Sequence, residues 1–266
     1  MYPRRIVCLT EETTETLYLL GEEARIVGIS GFTVRPPRAR REKPRVSAFT
    51  SAKIDRIVDL KPDLVLGFSD LQADIAAQLI RAGIAVHVFN HRSVAEILDM
   101  IAVLGGMVGC EARAAALIDE LATNIDDVRR SAARFARRPR VYFEEWDEPQ
   151  ISGIRWVSEL VGIAGGDDCF PELARESLGK NRIIADPLEV PRRAPDVIFG
   201  SWCGKKFRPG TVTARTGWAD VPAVRAGELH EIKSSIILQP GPAALTDGLR
   251  AIHAHLSRWA ARPSGA

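Results

Sequence analysis

The 266-residue chain lacks any cysteine pattern that could hold a metal. Cys8, Cys110, Cys169 and Cys203 are scattered, with no Cys-x-x-Cys and no histidine at zinc spacing. A structural zinc knuckle is therefore not expected, and reduced thiols are the default reading. A dominant charge is missing too. Lys plus Arg number 36 against 34 Asp plus Glu, a formal charge of +2, which points to neither a nucleic-acid partner nor a polyanionic substrate. Without Gly-x-Gly-x-x-Gly or Gly-x-x-x-x-Gly-Lys there is no phosphate cradle, and without Gly-x-Ser-x-Gly there is no nucleophile elbow. The opening "MYPRRIVCLT" enters a strand almost at once and has neither an apolar segment of signal-peptide length nor a small-residue cleavage site. As written, the chain reads as cytoplasmic and not membrane-inserted; removal of a leader would place it outside the membrane instead.

What is present is alternation. "RIVCLT" is strand-like, "EETTETLYLLG" has helical spacing and stops at Gly21, and "ARIVGIS" returns as a strand. "IDRIVDLKPDLVLGF" reads as a helix stopped by Pro62 and then a strand from Leu64 to Phe68. "DIAAQLIRAGIAVHVFN" repeats the cycle, with Gly83 as the stop. This pattern predicts parallel strands with crossover helices. A capping box at Ser93 and Glu96 opens a helix expected to end at Gly105-Gly106, and a second helix is expected from about Glu111 to Arg137, roughly 40 Å long. The basic run "RPPRARREKPR", Arg35 to Arg45, is expected to be a solvated, Pro-interrupted loop.

After Pro139 the alternation restarts. "LKPDLVLGFSD" in the first half is answered by "RAPDVIFGSWC" in the second. Each follows its opening strand at a similar distance, 62 − 6 = 56 residues from Ile6 to Pro62 and 195 − 141 = 54 from Val141 to Pro195. A shared motif at shared spacing argues for two equivalent lobes. The expected organisation is an α/β lobe over 1–109, a linking helix over 110–138 and a second α/β lobe over 139–266.

Ligands of open α/β sheets sit at the carboxyl ends of the strands. In the first lobe that rule selects Glu11, Glu12, Phe32, Phe68 and His91; in the second it selects the loop Glu144–Glu148, with Glu145 and Trp146, and then Trp202 and Cys203. Phe32, Phe68, Trp146 and Trp202 would be walls for a bulky, flat ligand, with Glu145 and His91 as polar anchors. Plainer roles stand beside these: core caps for the tryptophans, helix-terminus acids for Glu11 and Glu12, a cap residue for His91 and a small buried filler for Cys203. Carboxylates crowded around an indole favour a cationic or amide-rich guest. No catalytic residue and no metal site are assigned. The alternative reading gathers Glu12, His91, Glu145 and Cys203 around a metal ion in a reused cleft, as a metal-binding protein or enzyme. A third makes the loops Arg35 to Arg45 and Lys205 to Arg208 a docking surface for an acidic partner.

The quoted segments, together with "SGIRWVSELVGIAGGDDCF", resemble the vitamin B12 and iron-siderophore substrate-binding proteins of ABC importers over nearly the whole chain. The resemblance implies two Rossmann-like lobes bridged by one long α-helix. It further implies a monomeric, non-enzymatic protein that takes a corrinoid such as cobalamin, or a similar metal chelate, between its lobes and delivers it to an ABC permease. Such proteins present an acid from each lobe to the permease. Asp70 or Asp74 fits on the first lobe, whereas Lys205, Lys206 and Arg208 on the second have the opposite sign.

Overall fold

The computed structural model describes residues 2–262. The chain forms two compact units: one holds the residues through His91 with Ala95–Leu121 and Gln239–Pro242, and the other holds Arg92–Val94, Ala122–Leu238 and the chain from Ala243 onward. Unit 1 is built on a parallel sheet of β1 (Ile6–Cys8), β2 (Ile26–Ser30), β3 (Arg45–Ser47), β4 (Leu64–Phe68) and β5 (Val86–Phe89), in the order β3-β2-β1-β4-β5. Crossover helices cover both faces, so the central strands β1 and β4 are buried throughout and read as unbroken apolar runs. Val7, Leu9, Val65, Ile57, Ile75 and Leu79 form one core cluster, each worth about 1.5–3 kcal/mol on burial.

The repeated Pro-Asp motif does its work at the amino-terminal ends of the strands. The Asp63 carboxylate accepts the backbone N–H groups of Arg4 (2.7 Å) and Arg5 (2.9 Å), fixing where β1 begins beside β4. In unit 2 Asp196 accepts the Arg140 N–H at 2.8 Å in the same way. The residues before the two prolines, Lys61 and Ala194, share a left-handed backbone with φ of 47° and 46°. Proline steers its predecessor away from the right-handed helical region, and the left-handed alternative costs about 1–2 kcal/mol. The twofold repetition of this staple gives the internal repeat a physical basis.

Two helix ends differ from expectation. The helix Val94–Val108 runs straight through Gly105-Gly106 and stops at Gly109, whose φ is +72°. Gly105 is a packing glycine instead, since a Cβ there would lie 2.3 Å from the Ala114 Cβ. The long helix spans Glu111–Ala132, 22 residues and about 33 Å, and ends before Arg137. There the chain turns and sets the Phe135 ring against Gly165 and, stacked at 5.5 Å, against His253. Residues of this helix through Leu121 belong to unit 1 and those from Ala122 to unit 2.

Unit 2 carries β6 (Arg140–Asp147), β7 (Gln150–Ser152), β8 (Asp167–Asp168), β9 (Val197–Gly200) and β10 (Leu229–Glu231), in the order β10-β9-β6-β7 with β8 also on β6. β7 is antiparallel to β6 and the rest are parallel. The acids predicted to lie in a loop after this strand are therefore within it: β6 runs on to Asp147 because β7 folds back and pairs with it, with a register shift between Glu144 and Trp146. Among the described residues no helix is long and apolar enough to cross a membrane.

Candidate functional site

In unit 1 the rim at the carboxyl ends of the strands is dominated by the helix Glu11–Leu19, in which every residue from Glu11 to Tyr18 is buried. A run as polar as "EETTET" tolerates burial because its hydroxyls bond back into the helix: Thr13 and Thr14 donate to the Thr10 carbonyl and Thr16 to that of Glu12 (3.3, 3.2 and 2.7 Å). Glu11 accepts the Val34 N–H at 3.2 Å and an N–H from the Gln239 amide. Glu12 accepts from Thr10 and packs beneath Gly241, where a Cβ would stand 2.6 Å from its own. His91 Nε2 lies 2.7 Å from the Pro240 carbonyl oxygen and its ring is 5.0 Å from that of Phe68. The late segment Gln239–Pro242 thus joins Glu11, Glu12, His91 and Phe68 at one rim.

Phe68 and His91 are buried, 6 % and 7 % exposed, and support the rim from below, while Phe32 projects at 54 %. Ser69, just after Phe68, has φ 73° and ψ 153°, a region that residues other than glycine enter only under strain of about 1–3 kcal/mol. The basic run Arg35 to Arg45 is not a plain solvated loop. It contains the helical turn Ala39–Glu42 and is tied to unit 1: Arg35 pairs with Glu15 at 2.7 Å, Arg38 with Glu23 at 2.9 Å, and the Tyr18 hydroxyl donates to Glu42 at 2.7 Å.

In unit 2 the crowded acids have dedicated counter-ions. Glu144, fully buried, receives both arms of Arg215 (2.6 and 3.0 Å), the Trp202 indole N–H (2.9 Å) and the Tyr142 hydroxyl (3.1 Å). Glu145 is gripped by both arms of Arg182 (2.6 and 3.0 Å), itself only 2 % exposed, which also donates to the Ser152 carbonyl. Asp147 pairs with Lys205 at 2.5 Å. The Lys205 ammonium in turn lies over two indoles, 4.6 Å from the Trp146 ring and 5.1 Å from that of Trp202. The structure therefore brings Trp146 and Trp202 together under one cation. Trp202 is 4 % exposed and part of the core cluster with Tyr142, Phe207 and Trp218; Trp146 is half-buried, and Cys203 is exposed.

Glu145, expected to be a polar anchor, is committed to Arg182. Among the described residues no three His, Cys, Asp or Glu side chains are placed to hold a metal ion; of the set Glu12, His91, Glu145 and Cys203, the first two belong to unit 1 and the last two to unit 2. Sequence reasoning missed the pairing roles of Arg182, Arg215 and Lys205, the last of which it placed only in a docking loop, and it missed Gln239–Pro242 altogether. The signal for the first three was available in principle: four acids beside an apolar strand require counter-ions.

The family profile described as periplasmic binding protein matches residues 6–236. The chain belongs to that family. A substrate-binding lipoprotein of an ABC transporter from Bacillus subtilis is 24 % identical over 249 residues, covering 90 % of this chain and 76 % of its own length. A cobalamin-binding protein from Halobacterium salinarum is 27 % identical over 252 residues, covering 90 % of this chain and 66 % of the relative. The crystal structure of the periplasmic vitamin B12-binding protein of Vibrio cholerae superposes with a TM-score of 0.78 at 22 % identity, covering 98 % of this chain and 99 % of that one.

In this member of the family two buried carboxyls of unit 1 are shifted upward. Burial pushes the Glu11 carboxyl up from 4.5 to about 8, with the neighbouring Glu12 adding to it. Burial pushes Glu12 up from 4.5 to about 7, opposed by the bond from Thr10. The other charges acting on Glu11 are Glu15, which raises it further, and Arg40, which lowers it. Such a group is easier to keep protonated in the folded chain than in the unfolded one. Its contribution to stability is complete below about pH 4.5 and is lost as the pH climbs through the folded values to about 8. Wild type minus Glu11→Gln, compared by urea unfolding from pH 5 to 8.5, is expected to show a difference that grows against the wild type as the pH rises. A pH-independent difference would remove Glu11 as the source.

Proposed function

We propose that the chain is the substrate-binding component of an ABC importer and that its ligand is a corrinoid or a similar flat metal chelate. The observation that carries this reading is the pair of indoles, Trp146 and Trp202, gathered beneath Lys205 at the carboxyl-end rim of unit 2. Aromatic surface with a few fixed polar groups suits a broad, partly apolar ring system. Phe32 offers a further exposed ring on the rim of unit 1. Phe68 and His91 serve as supports for that rim and Glu11 and Glu12 hold it in shape, while in unit 2 Glu145 is braced by Arg182. The relatives named for cobalamin binding and for ABC transport support the choice of ligand class and of a permease partner. On this reading the protein works outside the cytoplasmic membrane, beside its permease.

The test is to incubate purified protein with cobalamin, cobinamide and haem and to record absorbance and melting temperature. A ligand at about 100 times its Kd stabilises the folded state by about 2.7 kcal/mol, which is several degrees in a chain of this size. A spectral change with a raised melting temperature for at least one chelate is expected. No change with any of the three would refute the reading.

A further inference from the structure

Beside the indole pair, unit 2 contains a cavity of about 350 Å³ lined by Trp202, Gly204, Lys205, Lys206, Glu231, Ile232, Lys233 and two serines. Its walls are the loops that leave β9 and β10, two neighbouring parallel strands, at their carboxyl ends. Ligand pockets run from about 300 to 1,000 Å³. A cavity at the small end of that range accommodates an appendage of a large chelate rather than its whole ring.

The charge of this cavity is opposite to that suggested by the acids of "FEEWDEP". Glu144 is neutralised by Arg215 and Glu145 by Arg182, so neither projects a net field. At the cavity itself Lys205 is matched by Asp147 at 2.5 Å and Lys233 by Glu231 at 2.6 Å. Three lysines against those two acids leave 3 − 2 = +1, and the remaining charge is Lys206, an exposed residue with no ion pair among the described residues. Glu148, the remaining acid of the stretch, is exposed at the hairpin tip and does not line the cavity. A surplus ammonium in the lining of a small pocket that also includes an indole attracts an oxyanion.

We infer that this cavity receives the anionic appendage of the bound chelate, a carboxylate or a phosphodiester, with Lys206 as its principal counter-ion. The inference rests on the chelate-binding reading above and assigns its specificity. It replaces the cationic or amide-rich guest that the sequence suggested.

Two ligand pairs test it, each differing in the anion. Haem carries two carboxylates that its dimethyl ester lacks, and cobalamin carries a phosphodiester, with the ribose and base attached to it, that cobinamide lacks, so in the second pair only a preference reversed by Lys206→Glu is assigned to the anion. Affinities are measured by titration for the wild type, Lys206→Gln and Lys206→Glu, with apo melting temperatures as a check on folding. The wild type is expected to prefer the anion-bearing member of one pair, and the pair concerned identifies carboxylate or phosphodiester as the group. Lys206→Glu is expected to weaken that member about tenfold, the scale of one charge-assisted hydrogen bond, and to leave its anion-free partner unchanged. Chelate binding without preference in either pair, or a preference untouched by Lys206→Glu, overturns the inference and leaves the binding reading standing. Failure of the wild type to bind any of the four overturns that reading and the inference with it.

Discussion

Arg215→Ala is expected to lower the stability of the protein by about 3–5 kcal/mol, measured as a fall in the urea midpoint. Glu144 is fully buried, and among the described residues Arg215 supplies its only charged partner while capping the Trp218 ring at 4.6 Å. Removal of the guanidinium leaves a carboxylate in the interior with neutral donors alone, and breaking one half of a buried pair costs on this scale. The Trp202 indole N–H and the Tyr142 hydroxyl still donate to Glu144, which places the cost toward the lower end. The pair as a whole is a different matter: replacing both partners with apolar residues of similar volume is commonly near neutral. Arg215→Met combined with Glu144→Leu is thus expected to recover most of what Arg215→Ala loses. A drop below 1 kcal/mol for Arg215→Ala would show that solvent or another cation reaches Glu144. Because Trp202 is held by Glu144, its fluorescence should shift in the single variant before global unfolding.

Gly105→Leu is expected to be the most damaging single change in unit 1. A plain Cβ at that position would already stand 2.3 Å from the Ala114 Cβ. Neither atom is the end of a flexible side chain, so the two helices must part. Even Gly105→Ala sets two effects against each other: alanine gains about 1 kcal/mol of helix propensity over glycine, while overpacking costs about 1–3 kcal/mol. The separation of 2.3 Å decides for the clash. The decisive control is reciprocal, since Ala114→Gly removes the atom being struck. Gly105→Ala with Ala114→Gly should recover part of the loss, giving a favourable coupling in a double-mutant cycle. Strict additivity of the two changes would rule out this contact as the cause.

Most of the architecture was legible because it is carried by local signals. The strands "RIVCLT" and "LVLGF" and the helix stops at Gly21 and Gly83 report on residues near them in sequence, and the paired Pro-Asp motif is recognisable as a local pattern although its carboxylates bond strand starts 56 to 59 residues away. The errors arise where distant residues decide. Gly105 resembles a helix stop until Ala114 is placed against it, and "EEWD" resembles a loop until "QIS" pairs with it as β7. At the candidate site the gathering of two indoles was legible and the pairing of the acids was not. Trp146 and Trp202 do gather at a strand end, but the acids beside them are answered by arginines 37 and 71 residues away, which no local pattern announces. His91 is likewise oriented by a carbonyl 149 residues downstream.

The discontinuity of unit 1 bears on the order in which the protein can be completed. Its sheet is encoded almost entirely before residue 92, yet the segment that receives Glu11, Glu12 and His91 is Gln239–Pro242. A ribosome that has emitted the whole parallel sheet must translate a further 242 − 91 = 151 residues before that sheet's own rim is closed. Until then two buried-type carboxyls stand without their cover. A nonsense codon near residue 238 would consequently injure the body made first as well as the one still being made.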